Sequence, residues 1–427
     1  MQNRVQKKKK ISLTTMIFIA LLAGALTGVI INYLIPTNYV VDDIIVQGVF
    51  YIVGQGFIRL MRMLVVPLVF CSIVCGSMAV GDTKKLGSVG VKTLIFYLCT
   101  TALAITVALT IANIFNPGKG LDMSQIQVTS TVSETTKSMS MTETLLDIIP
   151  VNIFNSLSEG NMLQIIVFAL ILGVILANMG DRVDIVKNFF GQFNDIMMEM
   201  TMAVMKLAPI GVFCLIAKTF AEIGFEVFIP LLKYMFCVLL ALAVQCFVVY
   251  LGLLKIFSGL NPFIFIKNFF PVMAFAFSTS TSNATIPMNI DTLAEKMGVS
   301  KKISSFTIPL GATINMDGTS IMQGVAVVFT AQAFGIPLDM MDYLTVIGTA
   351  TLASIGTAGV PSVGLITLTM VFNSVGLPIE GIALIMGIDR ILDMTRTAVN
   401  ITGDAVCTTI VASWNKAVDR DVYYNRK

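Results

Sequence analysis

The run Asp389-Arg-Ile-Leu-Asp393-Met-Thr-Arg396-Thr397-Ala-Val-Asn400-Ile-Thr-Gly-Asp404 sets three carboxylates, the Arg396 guanidinium and an amide inside a long apolar segment. A charge at a bilayer centre costs roughly 2.5–3.5 kcal/mol on insertion scales, so such groups face a partner, a cavity or a substrate. At about 100° per residue, with Asp393 as origin, Asp389 falls near roughly −40°, Arg396 near −60°, Thr397 near +40°, Asn400 near −20° and Asp404 near +20°. The polar set forms one stripe, aimed at one place. Asp393 and Arg396 could clamp a zwitterion, the carboxylate taking an ammonium and the guanidinium taking a carboxylate in a bidentate fork. The same spacing also suits an internal salt bridge with a purely structural role. The cost of a buried guanidinium favours the clamp.

Two further groups could hold a cation. Asn315-Met-Asp317-Gly318-Thr319 sits in another apolar segment. Residues two apart do not share a helical face, and the central Gly beside Asp suggests local unwinding. Unwound carbonyls plus a carboxylate make an oxygen cage for a hard cation. Alone, this reading and a kinked helix with a satisfied polar patch are even; beside the charged stripe, the cation cage is preferred. Tyr97, Thr100 and Thr101 put three hydroxyls on one face, where ordinary interhelical packing is the better reading of the residues by themselves. Asp317, Asp389, Asp393 and Asp404 are set against Arg396. The deficit must be met by bound cations or protons, because buried unpaired charge is not sustainable. The count does not choose sodium over protons.

These residues need membrane elements to position them, and the composition supplies them. The chain has 427 residues, 12% of them charged, and a mean hydropathy of +0.86, which marks an integral membrane protein. It has no His, which excludes His-dependent nucleophilic and metal chemistry. The seven Cys lie in apolar context without framework spacing, so no disulfides are expected. The Met-rich run 197–205 reads as adaptable packing. The basic N-terminus, residues 1–12, is expected to anchor in the cytoplasm ahead of a retained first helix rather than a signal peptide.

The spacing predicts an all-α chain of eight transmembrane helices plus two re-entrant helical hairpins. Helices 1 and 2 fall within 13–80 and helix 3 at 89–115. A polar loop follows at 116–144, then helices 4 and 5 within 145–220 and helix 6 at 226–257. The first hairpin is expected at 261–297, helix 7 at 302–334, the second hairpin at 340–372 and helix 8 at 379–415, with a cytoplasmic tail at 416–427. The hairpin readings rest on the small-residue tips around Ser278–Pro287 and Ser354–Gly364, because irregular backbone at membrane depth must be buried or line a cavity. Hairpin then helix occurs twice in opposite orientation. Inverted repeats with broken helices mark secondary transporters.

The motifs Asn315-Met-Asp-Gly-Thr319, Ser354-Ile-Gly-Thr-Ala-Gly-Val-Pro361 and Asp393–Asp404, with Asn116-Pro-Gly, resemble those of the glutamate/aspartate transporters, the dicarboxylate/amino acid:cation symporters. The resemblance spans essentially the whole chain. It implies a homotrimer in which a scaffold of helices 1, 2, 4 and 5 holds a transport domain that moves like an elevator, with the second hairpin as gate. It further implies substrate contacts at Ser282, Thr319, Val360, Asp393, Arg396, Thr397 and Asn400. One sodium site would use Asn315, Asn400 and Asp404. A second would use Tyr97, Thr100, Thr101, Asn315 and Asp317, which reverses the packing reading of the three hydroxyls. A third would use carbonyls near Thr313 and Ser354.

Within such a family, Asp393 implies an amino-acid substrate and Arg396 an acidic one. Gln323 stands where proton-coupled members carry Glu, which implies sodium coupling without protons. The family's extra Arg is missing: Ser280 and Met394 occupy its two usual positions. The expected function is sodium-coupled symport of L-aspartate or L-glutamate across a bacterial inner membrane. The expected partners are the amino acid, sodium ions and lipids, not nucleic acid. The alternatives are a proton-coupled, neutral amino-acid or cystine symporter of the same fold. An intramembrane aspartyl protease fits poorly, because Ile401 stands where its Gly-x-Gly-Asp motif needs the first Gly. Channel activity would be a side function.

Overall fold

A computed structural model describes residues 13–36, 38–81, 88–121, 146, 149–224, 228–355 and 363–426. The elements are helical throughout, joined by turns and one isolated bridge, Val299 to Val418. In chain order they are α1 (Leu13–Leu34), α2 (Tyr51–Gly81), α3 (Ser88–Phe115), α4 (Ile153–Glu159), α5 (Met162–Met179), α6 (Asp184–Met205), α7 (Ala208–Ile223), α8 (Phe228–Ala243), α9 (Leu251–Ser258), α10 (Pro262–Thr279), α11 (Ser282–Met297), α12 (Lys301–Ile314), α13 (Asp317–Ala333), α14 (Met340–Ser354), α15 (Val363–Ser374), α16 (Gly381–Trp414) and α17 (Arg420–Tyr423). The π-helical stretch Val40–Phe50 leads into α2, and a second, Val244–Tyr250, joins α8 to α9. Among the described residues, six helical stretches are long and apolar enough to cross a membrane.

One of the six, Pro262–Thr279, is an arm of the expected first hairpin, so the set holds five of the eight helices expected, for physical reasons. The stretch 183–220 is not one helix: the chain turns at Lys206–Leu207 between α6 and α7. The first of these is continuous with α5 through a short 3-10 turn at Gly180–Val183, so Gln164–Met205 forms one long apolar run. Helix 302–334 is interrupted at Asn315 and Met316, whose backbones are extended or irregular (φ −94°, ψ 93° and φ −116°, ψ 42°). The unwinding lies just before Asp317-Gly318 rather than on it. Helix 379–415 is unbroken as α16, and its charges keep it out of the apolar set.

α10 and α11 form a tight hairpin. Asn261 caps α10 by accepting from Phe263 N at 3.0 Å. Ser280 ends that helix in the left-handed region at φ +52°, and Thr281 returns to extended backbone. Asn268 Nδ2 donates to Lys296 O at 3.2 Å, joining the two arms near their base. The pair α14 and α15 also packs together; residues 356–362 between them, with Val360 of the sequence reading, lie outside the described residues, as does most of the polar loop.

Packing divides the helices into two groups. α1 lies along α7, and α2 against α5, α6 and α7. α3, α8, the hairpin α10–α11, α12, α13 and α14 pack chiefly on one another and on α16, which threads their centre. The groups meet where α15 touches α2 and where α16 touches α1 and α7. The tail closes the hairpin's base: Ser300 N donates to Ala417 O, Asp419 N to Gly298 O and Tyr423 OH to Asn261 O.

Candidate functional site

Two buried polar clusters sit where α3, α8, α12, α13 and α16 converge. The first is built on Asp317, which opens α13 and is completely buried. Thr101 Oγ1 donates to its Oδ1 at 2.6 Å. Tyr250 OH and Gln245 Nε2 donate to its Oδ2 at 2.7 and 3.2 Å. Gln245 and Tyr250 were not among the residues expected from sequence. Five residues apart, they would point about 140° apart on an α-helix. The π-helical register, bonded i to i+5, brings both to the same carboxylate oxygen. Thr100 Oγ1 donates to Tyr97 O at 3.1 Å, and Tyr97 OH to Thr307 O at 3.2 Å. Of the three expected hydroxyls, that of Thr101 makes the short contact with Asp317.

The second polar group joins α16 to the break before α13. Asn315 Nδ2 donates to Asp404 Oδ1 at 2.9 Å and to Asn400 O at 3.2 Å. Asn400 Oδ1 accepts from Gly318 N at 2.7 Å. Asn400 Nδ2 lies 3.4 Å from Met316 Sδ. The unwound backbone is what lets these groups meet. Two glycines permit the approach: a Cβ at Gly311 would strike Asp404 Oδ1 and come within 2.6 Å of Tyr97 OH, and one at Gly318 would lie 2.8 Å from Arg396 O. Asn315 Oδ1 and Gln245 Oε1 are buried and accept no hydrogen bond among the described residues. Acceptor oxygens left over beside carboxylates are what a hard cation needs. Thr313 and Ser354 do not join these clusters through their hydroxyls, which donate to their own helices at Leu310 O and Thr351 O.

The charged stripe of α16 is a chain of ion pairs. Arg396 Nη1 donates to Asp389 Oδ1 at 2.6 Å and Nη2 to Asp393 Oδ1 at 2.8 Å. The internal salt bridge weighed against the clamp is therefore formed in this structure. Arg390 Nη1 adds a third contact, 3.3 Å from Asp393 Oδ2. This corrects the sequence-based charge count. Asp389, Asp393, Arg390 and Arg396 balance to zero. Within the two polar clusters, Asp317 and Asp404 are buried carboxylates held by hydroxyl and amide donors, with no cationic side chain paired to them among the described residues. Arg396 is 1% exposed, and its Nε–H has no acceptor among the described residues.

The remaining expected residues surround this stripe. Thr397 Oγ1 donates to Asp393 O at 2.8 Å. Thr319 and the start of α15 come close to the guanidinium: a Cβ at Gly364 would lie 2.9 Å from Thr319 Cγ2 and 3.4 Å from Arg396 Nη2. Gln323 Nε2 donates to Thr367 Oγ1 at 2.8 Å, tying α13 to α15. Ser280 and Ser282 are both buried at the hairpin tip, and Ser280 Oγ is without a partner among the described residues. No group of three or more His, Cys, Asp or Glu side chains suited to a metal ion occurs among the described residues, so a cation here would be held largely by amide, hydroxyl and carbonyl oxygens.

Comparison with known proteins gives this geometry a context. Residues 13–414 match the model of the sodium:dicarboxylate symporter family. The chain is 39% identical over 411 residues to a proton/sodium-glutamate symport protein of Bacillus caldotenax, covering 95% of each. It is 36% identical over 422 residues to a proton/glutamate-aspartate symporter of Escherichia coli (strain K12), covering 97% of this chain and 95% of that one. It is also 33% identical over 372 residues to C4-dicarboxylate transport protein 1 of Ralstonia nicotianae, covering 86% of each.

Proposed function

The chain belongs to the sodium:dicarboxylate symporter family, and from that premise we propose that it is a sodium-coupled symporter of L-aspartate or L-glutamate. It is a multi-pass membrane transporter and not an enzyme. The observation that carries the coupling is the pair of buried carboxylates, Asp317 and Asp404, to which no cationic side chain is paired among the described residues. Each needs a positive charge from solution, because an uncompensated buried ion costs several kcal/mol, of the order of 3–5 when a partner is removed. Two monovalent ions bound before or with substrate would cancel both.

Substrate would enter the stripe of α16. Its side-chain carboxylate would take the guanidinium of Arg396 in exchange for Asp389, and its ammonium would take Asp393. Thr319, Thr397, Asn400 and the hairpin tips at Ser282 and Val360 would complete the shell. The names of the relatives, glutamate and aspartate among them, support this class. Sodium would be held by Asn315, Asn400 and Asp404, and by Tyr97, Thr100, Thr101, Asn315 and Asp317, with a third ion on carbonyls near Thr313 and Ser354. Gln323, an amide that carries no exchangeable charge, favours sodium over protons. Proton coupling is the second reading, favoured by relatives named for protons, and would use Asp404 or Asp317 itself.

The division of the helices into two groups supports an elevator: α1, α2 and α5–α7 as scaffold, and α3 with α8–α16 as the moving body, gated by α14–α15. A homotrimer in the bacterial inner membrane with both termini cytoplasmic completes the proposal. The test is labelled L-aspartate uptake into proteoliposomes under an inward sodium gradient or a proton gradient alone. Concentrative uptake only with sodium is expected. Uptake driven by protons alone overturns the sodium assignment, and none under either gradient overturns the substrate class.

A further inference from the structure

We propose that Arg390 sets the transporter's affinity for an amino group by occupying the very oxygen of Asp393 that a substrate ammonium must take. The inference rests on the acidic amino-acid reading above and deepens it. Asp393 is bracketed from within its own helix. Arg396, three residues later, holds Oδ1 at 2.8 Å, and Arg390, three residues earlier, holds Oδ2 at 3.3 Å. The two contacts are unequal. The first is short, between side chains 1% and 8% exposed; the second is longer, and Arg390 is 13% exposed. Charge-assisted N–H to O contacts are strongest near 2.7–2.9 Å, so Oδ2 is the oxygen more readily surrendered. An ammonium arriving at Asp393 therefore competes with Arg390 rather than with Arg396.

The surroundings of Arg390 matter as well. With Asp389 and the apolar side chains Ile17, Met205, Val212, Leu365 and Met386 it lines a cavity of about 10 Å³ at the seam where α16 and α15 meet α1, α6 and α7. That volume holds about one water, not a displaced guanidinium. A guanidinium released from Asp393 toward this side either stays against Asp389 or loosens the seam. Where the seam loosens, filling of the amine site is linked to separation of α16 from its neighbours, the contact that an elevator must break. A substrate without an ammonium leaves Arg390 in place.

The test measures L-aspartate affinity by calorimetry on the full-length protein in saturating sodium chloride, for wild type, Arg390→Met and Arg390→Lys. Removing the competing charge is expected to tighten L-aspartate about fivefold, the scale of a partly exposed ion pair. Arg390→Lys, which keeps the charge, should stay within about twofold of wild type. Succinate, which is aspartate without its ammonium, should not gain in competition for the same site. Unchanged or weaker aspartate binding in Arg390→Met, with sodium-induced thermal stabilisation intact, overturns the proposal, as does an equal gain for succinate. If Arg390→Met does not yield folded protein, Arg390→Gln carries the same expectation. A wild-type protein that binds no L-aspartate sinks the amino-acid reading itself, whatever the variants do.

Discussion

Asp317→Asn isolates the part of the site on which ion coupling depends. The substitution keeps the side chain's shape and removes a buried charge that has no cationic partner among the described residues. Oδ1 can still accept from Thr101. The new amide nitrogen replaces Oδ2 and meets two donors, Tyr250 OH and Gln245 Nε2. Gln245 can turn its amide, because its Oε1 accepts nothing among the described residues, and the phenol oxygen can accept instead of donating. The cost of this rearrangement is about 1–3 kcal/mol, that of a buried hydrogen bond rearranged or lost, which a folded transporter can survive. The change in ion demand is a whole charge. By linkage, the slope of log Kd for L-aspartate against log sodium concentration gives the number of sodium ions taken up with substrate. That slope should fall in magnitude by about one in Asp317→Asn, measured by equilibrium binding without any need for transport. A folded variant that binds aspartate with the wild-type slope would falsify the assignment of a cation to Asp317.

Arg396→Ala strips the buried cation from Asp389 and Asp393; it should cost about 3–5 kcal/mol of stability and abolish aspartate uptake, while sodium-induced thermal stabilisation at the separate Asp317 cluster survives. Retained uptake shows that the guanidinium does not bind substrate. Gly311→Ala puts a methyl group between Asp404 and Tyr97; overpacking of about 1–3 kcal/mol should weaken sodium by tenfold or so, read as a shift in the sodium concentration for half-maximal binding, and an unchanged sodium titration counts against a cation at that convergence.

The placement of the charged side chains on α16 was legible because its polar residues share one helical face and the helix is unbroken. Angles laid out at a constant step then carry straight into space, and Asp389, Asp393 and Arg396 do meet. The break before Asp317 was legible for the opposite reason. Asn315 and Asp317 are too close in sequence to share a face, so their joint use demands non-helical backbone, and the unwinding falls on Asn315 and Met316. The kink between α6 and α7 was not legible, since Lys206–Leu207 carries neither Gly nor a neighbouring charge pattern, and Pro209 sits in the first turn of α7, where Pro is tolerated.

Arg390 and the pair Gln245 and Tyr250 escaped for reasons that concern the helix itself. On the α16 wheel, Arg390 falls near roughly +60° from Asp393, just outside the stripe, and a stripe drawn by angle omits the reach of a long side chain that folds back along its own helix. For Gln245 and Tyr250, angle misleads outright. A wheel drawn at α-helical pitch separates them, and only the wider π turn makes them neighbours. A polar Gln within the apolar run Phe228–Ser258 was still a signal, because a buried amide in a membrane helix needs a partner. Its partner could be sought only among acceptors on other helices, and Asp317, without a cation of its own, had the strongest claim. The π turn thus does for α8 and α9 what the unwound turn does for α12 and α13. Both depart from α-helical register at the depth of the buried carboxylates. The first departure aims Gln245 and Tyr250 at the single charge of Asp317; the second lets Asn315 donate to Asp404 while the Gly318 amide donates to Asn400 Oδ1.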